Sequence, residues 1–217
     1  MEHFESWKDL VNPEFYIKLG GFWLVLLIVF AESGLFFGFF LPGDSLLFIS
    51  GIYSTTIISE TFGETGSDLL NTTILAVTVG FAAILGDSVG YWFGSKSGQK
   101  LYQKKESFFF KRSYLLKAQQ FYEENGAMAI IIARFLPMIR TFAPIVAGIV
   151  KMDSKKFFLY NIIGGLLWSF SLVFAGHYLD KLFIDQFGID LKKHLEYIII
   201  GLIVVTTTPV IIKALKK

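Results

Sequence analysis

Residues 133–148, ARFLPMIRTFAPIVAG, decide how this chain folds. They set two arginines, Arg134 and Arg140, and two prolines, Pro137 and Pro144, inside an apolar run. Proline has no N–H and its ring clashes with the preceding turn, so a regular helix cannot continue through it. Residues 40–51, FLPGDSLLFISG, repeat the plan after Glu32: Phe-Leu-Pro, a charge (Asp44) just past the proline, and a small apolar run ending in glycine. One copy carries acids and the other carries bases. The expectation is that the two broken segments face each other inside a membrane and form one charged site.

Composition supports the membrane. The 217 residues are 53% hydrophobic and 17% aromatic, with a mean hydropathy of +0.56. Only 18% are charged, against about 25% in soluble domains. Several apolar runs approach the roughly 20 residues that cross a bilayer. Residues 1–217 therefore read as one integral membrane domain. The absence of cysteine excludes disulfides and thiolate metal sites. His3, His177 and His194 are far apart and near segment ends, so no metal or cofactor site is expected. A net charge of +2 identifies no partner by itself, and nothing points to nucleic acid.

In chain order, Phe4, Trp7, Leu10 and Val11 share a helical face, which suggests a short helix on the membrane surface. Residues 16–31 read as a first spanning helix ending at Glu32. Residues 33–58 are apolar but interrupted by Gly34, Gly38, Pro42, Gly43 and Gly51. Two crossings of about 20 residues will not fit there. A re-entrant hairpin turning at Pro42-Gly43-Asp44 fits, provided protein or a wet cavity covers its backbone. After a polar loop at 59–71, residues 72–94 read as a second span containing Asp87. Residues 95–125 are basic and read as interfacial helices that bind anionic headgroups. Residues 126–150 form the second re-entrant hairpin. Residues 155–177 read as a third span with Asn161, Gly164, Gly165 and Trp168, residues 178–194 as a polar loop, and residues 195–212 as a fourth span.

The fold class expected is thus all-α: four spanning helices, two opposed re-entrant hairpins and amphipathic interfacial helices. Lysine and arginine placement puts the 95–125 loop, Lys151, Lys155, Lys156 and both termini in the cytoplasm. The hairpins then enter from opposite faces, the geometry of an inverted repeat meeting near the midplane.

Glu32, Asp44, Asp87, Arg134 and Arg140 lie in or beside apolar sequence. Each unpaired charge at a helix centre costs ~2.5–3.5 kcal/mol on insertion scales. They are expected to pair or to line a wet cavity. Three acids against two arginines leave one acid over, able to take and release a proton. A planar guanidinium suits phosphate bidentately, and the break at Pro137 lets both arginines reach one anion. Ion pairs that merely lock the hairpins together are the plainer reading. For Asp87, capping or helix packing is as good a reading as function. Trp92, Trp168 and Tyr91 read as interfacial anchors or packing rather than as ligand contacts.

Glu32 with FLPGDSLLFISG, then GDSVGYWFGSKSG, RFLPMIR and NIIGGLLW, together resemble the DedA family of SNARE-associated, or VTT-domain, membrane proteins. The resemblance spans roughly residues 25–180. It implies opposed re-entrant hairpins, a bacterial cytoplasmic membrane location and proton-motive-force-dependent recycling of undecaprenyl phosphate for the cell envelope. It also implies an acidic pair at Glu32 and Asp44 for transport and proton coupling, and an arginine pair at Arg134 and Arg140 for phosphate. Asp87 and Asn161 are secondary candidates.

The function expected is a flippase for a phosphate-bearing lipid, with protons and the bilayer as partners and with room for a homo-oligomer. The alternatives are a proton-coupled small-ion or drug exporter, a phospholipid scramblase, and a purely structural protein. An enzyme is not expected: a lipid phosphatase would need a nucleophile beside a base, and no histidine sits deep in an apolar run.

Overall fold

The computed structural model describes residues 13–34, 43–103, 120, 122, 124–126, 128–195 and 201. Most of the surface helix expected over residues 1–15, Pro42 of the turn expected at Pro42-Gly43-Asp44 and most of the basic 95–125 segment lie outside these residues, while residues 13–15 begin α1 and Gly43 and Asp44 begin α2. The fourth span at 195–212 also lies outside them, apart from Leu195 and Gly201.

The described residues are all helical, joined by turns. Helix α1 is Pro13–Gly34, α2 Gly43–Ile52, α3 Ser54–Phe62, α4 Asp68–Gln103, α5 Met128–Arg134, α6 Pro137–Arg140, α7 Ala143–Ile149 and α8 Ser154–Phe187. A 3-10 turn follows at Leu191–His194. By length and composition, Asp68–Gly98 and Ser154–Phe187 can each cross a membrane, while Gly20–Gly34 and Gly43–Ile52 are apolar but shorter.

Local chemistry sets these boundaries. Gly21, at φ 50°, breaks α1. Gly63, at φ 86°, closes α3, a conformation that costs glycine nothing. Leu136 is extended (φ −113°, ψ 101°) because it precedes Pro137, which opens α6. Helix α7 ends with Lys151 left-handed at φ 55° and Met152 N–H donating to Ala147 O at 3.0 Å, the bonding of a helix C-cap. Asp153 then caps α8 through Lys156 N–H at 2.9 Å.

Three sequence expectations are corrected. The polar loop expected at 59–71 shrinks to 63–67, because α3 runs to Phe62 and α4 starts at Asp68. Residues 178–187 are not a loop but the last turns of α8, which ends where Gly188 turns left-handed at φ 64°. Helix α4 likewise runs past residue 94 to Gln103. Charges such as Lys181 and Asp185 end an apolar run, but they do not break helical periodicity.

The described residues gather into two compact groups. One draws on Met1–Ile28, Leu41–Gly80 and Ser169–Lys217, the other on Val29–Phe40 and Phe81–Trp168. The same packing device occurs inside each. In the second group, a Cβ at Gly94 would strike the Ile145 carbonyl and one at Gly148 the Tyr91 carbonyl. In the first, a Cβ at Gly176 would strike the Phe48 carbonyl and one at Gly51 the Val173 carbonyl. Ile145 and Phe48 each lie three residues before their glycine, as do Tyr91 and Val173. Each broken segment therefore meets a long helix backbone to backbone, in the same register. Small residues permit this close approach, which membrane helices use in place of a hydrophobic drive.

Gly86, Gly90, Gly94 and Gly98 form one stripe on α4. Gly86 abuts Phe30 and Gly34 of α1, and the others face α7. The opposite face of α4 exposes Phe81, Leu85, Val89, Trp92 and Phe93, as a lipid-facing surface does.

The stripe makes a graded prediction. A Cβ at Gly90 would lie an ordinary 3.4 Å from Ile145 Cγ1, so Gly90→Ala leaves the melting temperature in detergent near wild type. Gly94→Ala drives a methyl into backbone and is expected to cost about 1–3 kcal/mol. Equal melting temperatures for the two variants would refute the packing described.

Candidate functional site

The second group brings together Glu32 from α1, Asp87 from α4, Arg134 from α5, Arg140 from α6, and Asn161 and Trp168 from α8. Arg134 is buried, with 5% of its surface exposed. Its Nη2 donates to Asp87 Oδ2 in an ion pair and to Asn161 Oδ1 at 2.5 Å. Asn161 is itself fixed by donating to Ile84 O at 3.1 Å. Gly164 and Gly165 make room for the guanidinium: a Cβ on Gly164 would lie 3.2 Å from Arg134 Cδ, and one on Gly165 3.3 Å from Arg134 Nη2. The NIIGGLLW stretch thus supplies an acceptor, a recess and, at Trp168, a ring.

Arg140 sits at the end of the single turn that Pro137 opens. It donates through Nη2 to Glu32 Oε1, and its guanidinium carbon lies 4.8 Å from the centre of the Trp168 ring. A planar cation over an aromatic face is attracted by the ring quadrupole. Asp87 lies close enough to interact electrostatically with both arginines. Nearby, Tyr91 OH donates to Met152 O at 2.5 Å and stacks on Phe157, while Tyr122 OH donates to Ala143 O at 2.9 Å. These bonds hold α7 and the start of α8 in place around the charges.

Two acids and two guanidinium groups balance in formal charge. Hydrogen-bond capacity is not exhausted, however. Among the described residues, Arg134 Nε and Thr141 Oγ1 are buried without a hydrogen-bond partner. Both lie beside the ion pairs in sequence, and a guanidinium N–H can only donate. The cluster therefore retains donors for an acceptor-rich guest.

Of the expected site residues, Arg134 is buried, Arg140 is half-buried, and Glu32 pairs with Arg140. The acid on Arg134 is Asp87, which sequence reasoning ranked below Glu32 and Asp44. Asp44 lies in the first turn of α2, half-buried, within the other compact group. Trp168, read as an anchor or packing residue, is 3% exposed and stacks on Arg140. The four-residue glycine stripe around Asp87 was the available signal that this carboxylate faces protein.

The VTT domain model matches residues 28–178, taking in the whole cluster. The chain belongs to the VTT-domain, or DedA, family. It is 40% identical to Protein DedA of Escherichia coli K12 over 193 residues, covering 89% of this chain and 81% of that protein. It is 35% identical to an uncharacterized membrane protein of Mycobacterium leprae, covering 94% and 86%. Identity to the inner membrane protein YqjA of Escherichia coli K12 is 31%, covering 82% and 74%. No solved structure matches. Two helices able to cross a bilayer and these relatives make the chain a bacterial membrane protein.

The ion pair predicts a mutational cycle. Asp87→Leu leaves Arg134 buried without its acid, and loss of one partner of a buried pair costs about 3–5 kcal/mol. Adding Arg134→Met removes the stranded charge and is expected to recover most of that loss, read as melting temperature in detergent. A double variant no more stable than Asp87→Leu would show that the two side chains do not depend on each other.

Proposed function

We propose that this protein is a flippase for a phosphate-bearing lipid carrier of the undecaprenyl phosphate type, driven by protons across the bacterial cytoplasmic membrane. One observation carries the reading: a buried and a half-buried guanidinium group share one charge-balanced cluster that still has donors to give. A phosphate has acceptor oxygens in excess and suits the planar fork of arginine.

Charge balance also supplies the coupling. With Glu32 and Asp87 ionised, the cluster is neutral. An anionic headgroup entering so dry a site adds a charge that low dielectric makes costly. A proton on Glu32 or Asp87 restores neutrality and frees a guanidinium for the phosphate. Headgroup and proton therefore bind together and leave together. Asp44 is retained as a further proton-carrying carboxylate. The broken segments 33–58 and 126–150 act as re-entrant hairpins of an inverted repeat among four spans, with both termini cytoplasmic. The matching glycine registers of the two groups favour this reading.

The test uses purified protein in liposomes with a labelled polyprenyl phosphate. Wild type should move the label faster with acid on the loading side. Arg134→Lys and Arg140→Lys keep the charge but lose the fork, and each should slow transport at least about tenfold, the effect of losing ~1.4 kcal/mol of transition-state binding. Glu32→Gln should weaken the response to the pH gradient, and adding Asp87→Asn should weaken it further. Full activity in both lysine variants would sink phosphate holding. Equal flow of ordinary phospholipid without a gradient would indicate a scramblase, and export of a small cation alone would indicate an exporter.

A further inference from the structure

The first compact group holds ionisable side chains that the lipid site does not use. Where α4 begins and α8 ends, a cavity of about 230 Å³ is lined by Asp68, His177, Asp180, Lys181, Asp185 and Lys192. Since a water occupies ~30 Å³ of liquid, it has room for several.

A hydrogen-bond chain fixes the tautomer of His177. The Thr72 hydroxyl donates to Asp68 O at 2.8 Å. A hydroxyl has one proton to give, so the 3.0 Å bond between Ser54 and Thr72 is donated by Ser54. Ser54 then has no proton left for its 3.2 Å bond to His177 Nδ1. Nδ1 must be the donor, and the neutral ring leaves Nε2 as its free acceptor. No described group bonds Nε2. Protonation there leaves the Nδ1–H bond to Ser54 intact, so the ring can charge without disrupting the chain.

Asp180 lies one turn further along the same face of α8. It is 7% exposed. Its Oδ2 is 4.0 Å from Lys192 Nζ and the Leu191 backbone N–H bonds the carboxylate, while Oδ1 is buried without a hydrogen-bond partner among the described residues. A bare carboxylate oxygen withdrawn from water is costly until a donor reaches it. The charges facing His177 are Asp68 from α4, Asp180, Lys181 and Asp185 from α8, and Lys192 from the 3-10 turn. Helix α3 contributes hydroxyls, one of which, on Thr55, donates to Asp68 Oδ1 at 3.1 Å.

We propose that His177 Nε2 is a second proton-binding site, loaded from water in the cavity that the ring shares with the Asp68 and Asp180 carboxylates. The proton comes from solvent, bonds Nε2 and is balanced by those two carboxylates. Its role, receiving the proton that accompanies the lipid phosphate, rests on the proton-coupled reading above.

The site is tested by NMR of the full chain, histidine-labelled, in micelles, with the His177 signal assigned by its loss in His177→Gln. The neutral ring should show Nδ1–H, and the signal should titrate with pH. Asp180→Asn should move the midpoint toward acid, because an opposite charge that favours the imidazolium is gone. Ser54→Ala should weaken the Nδ1–H preference. A flat signal, an Nε2–H ring, or a midpoint unmoved by Asp180→Asn overturns the site. In liposomes, His177→Gln should lose about tenfold of the gradient-driven rate; a pH profile matching wild type overturns the coupling role. Wild-type protein that moves no labelled lipid while His177 titrates as described supports the proton site and overturns the transport reading instead.

Discussion

A guanidinium that cannot lose its charge, placed where water cannot reach it, must be met by the protein. Arg134 is that group, and much of its compact group is arranged around it: an acid from α4, an amide from α8, and two adjacent glycines that clear the space. The amide is aimed by a backbone carbonyl of α4, so the same helix supplies both the counter-charge and the orientation of the second acceptor. Arg140 is treated differently. It has an acid and an aromatic face, it is half-buried, and it sits on a single helical turn between two breaks. One arginine is fixed by a network and the other stands on a short, separately hinged element.

Such an arrangement is expensive as architecture alone. Buried ion pairs roughly break even against well-packed apolar side chains of the same volume. A chain that keeps four charges and an amide in one apolar group, with donors still unmatched, gives up stability that a hydrocarbon core would have supplied. That cost is the physical ground for reading the cluster as a place where something binds.

Much of this was legible in the sequence because charge in an apolar run is a loud signal. Arg134 and Arg140 stood out, as did the prolines that break the helix between and after them, and Glu32 was read with Asp44 as the acids facing these bases. The partner of Arg134 was harder to see. Asp87 lies forty-seven positions away, and within its own helix it resembles any acid near a glycine. Pairing depends on which faces of α4, α5 and α8 meet, and composition does not encode that. The glycines at 86, 90, 94 and 98 did encode it, as a stripe permitting backbone contact. The extent of α8 was missed for a related reason. A span ends where charge begins, but a helix ends where the backbone changes hand, and Gly188 lies eight residues beyond Asp180. That misreading hid His177, which lies well inside the helix.

The paired glycine contacts also limit how this molecule can move. Where one backbone lies directly against another, sliding by a single residue would push a side chain into a carbonyl. Those seams therefore act as fixed bearings, α7 on α4 in one group and α2 on α8 in the other. Freedom is left to the joints, at Tyr53 and at the two-residue gaps before Pro137 and Ala143. The backbone contacts thus constrain the seams, while the helix breaks at Tyr53, before Pro137 and before Ala143 carry no such contact among the described residues.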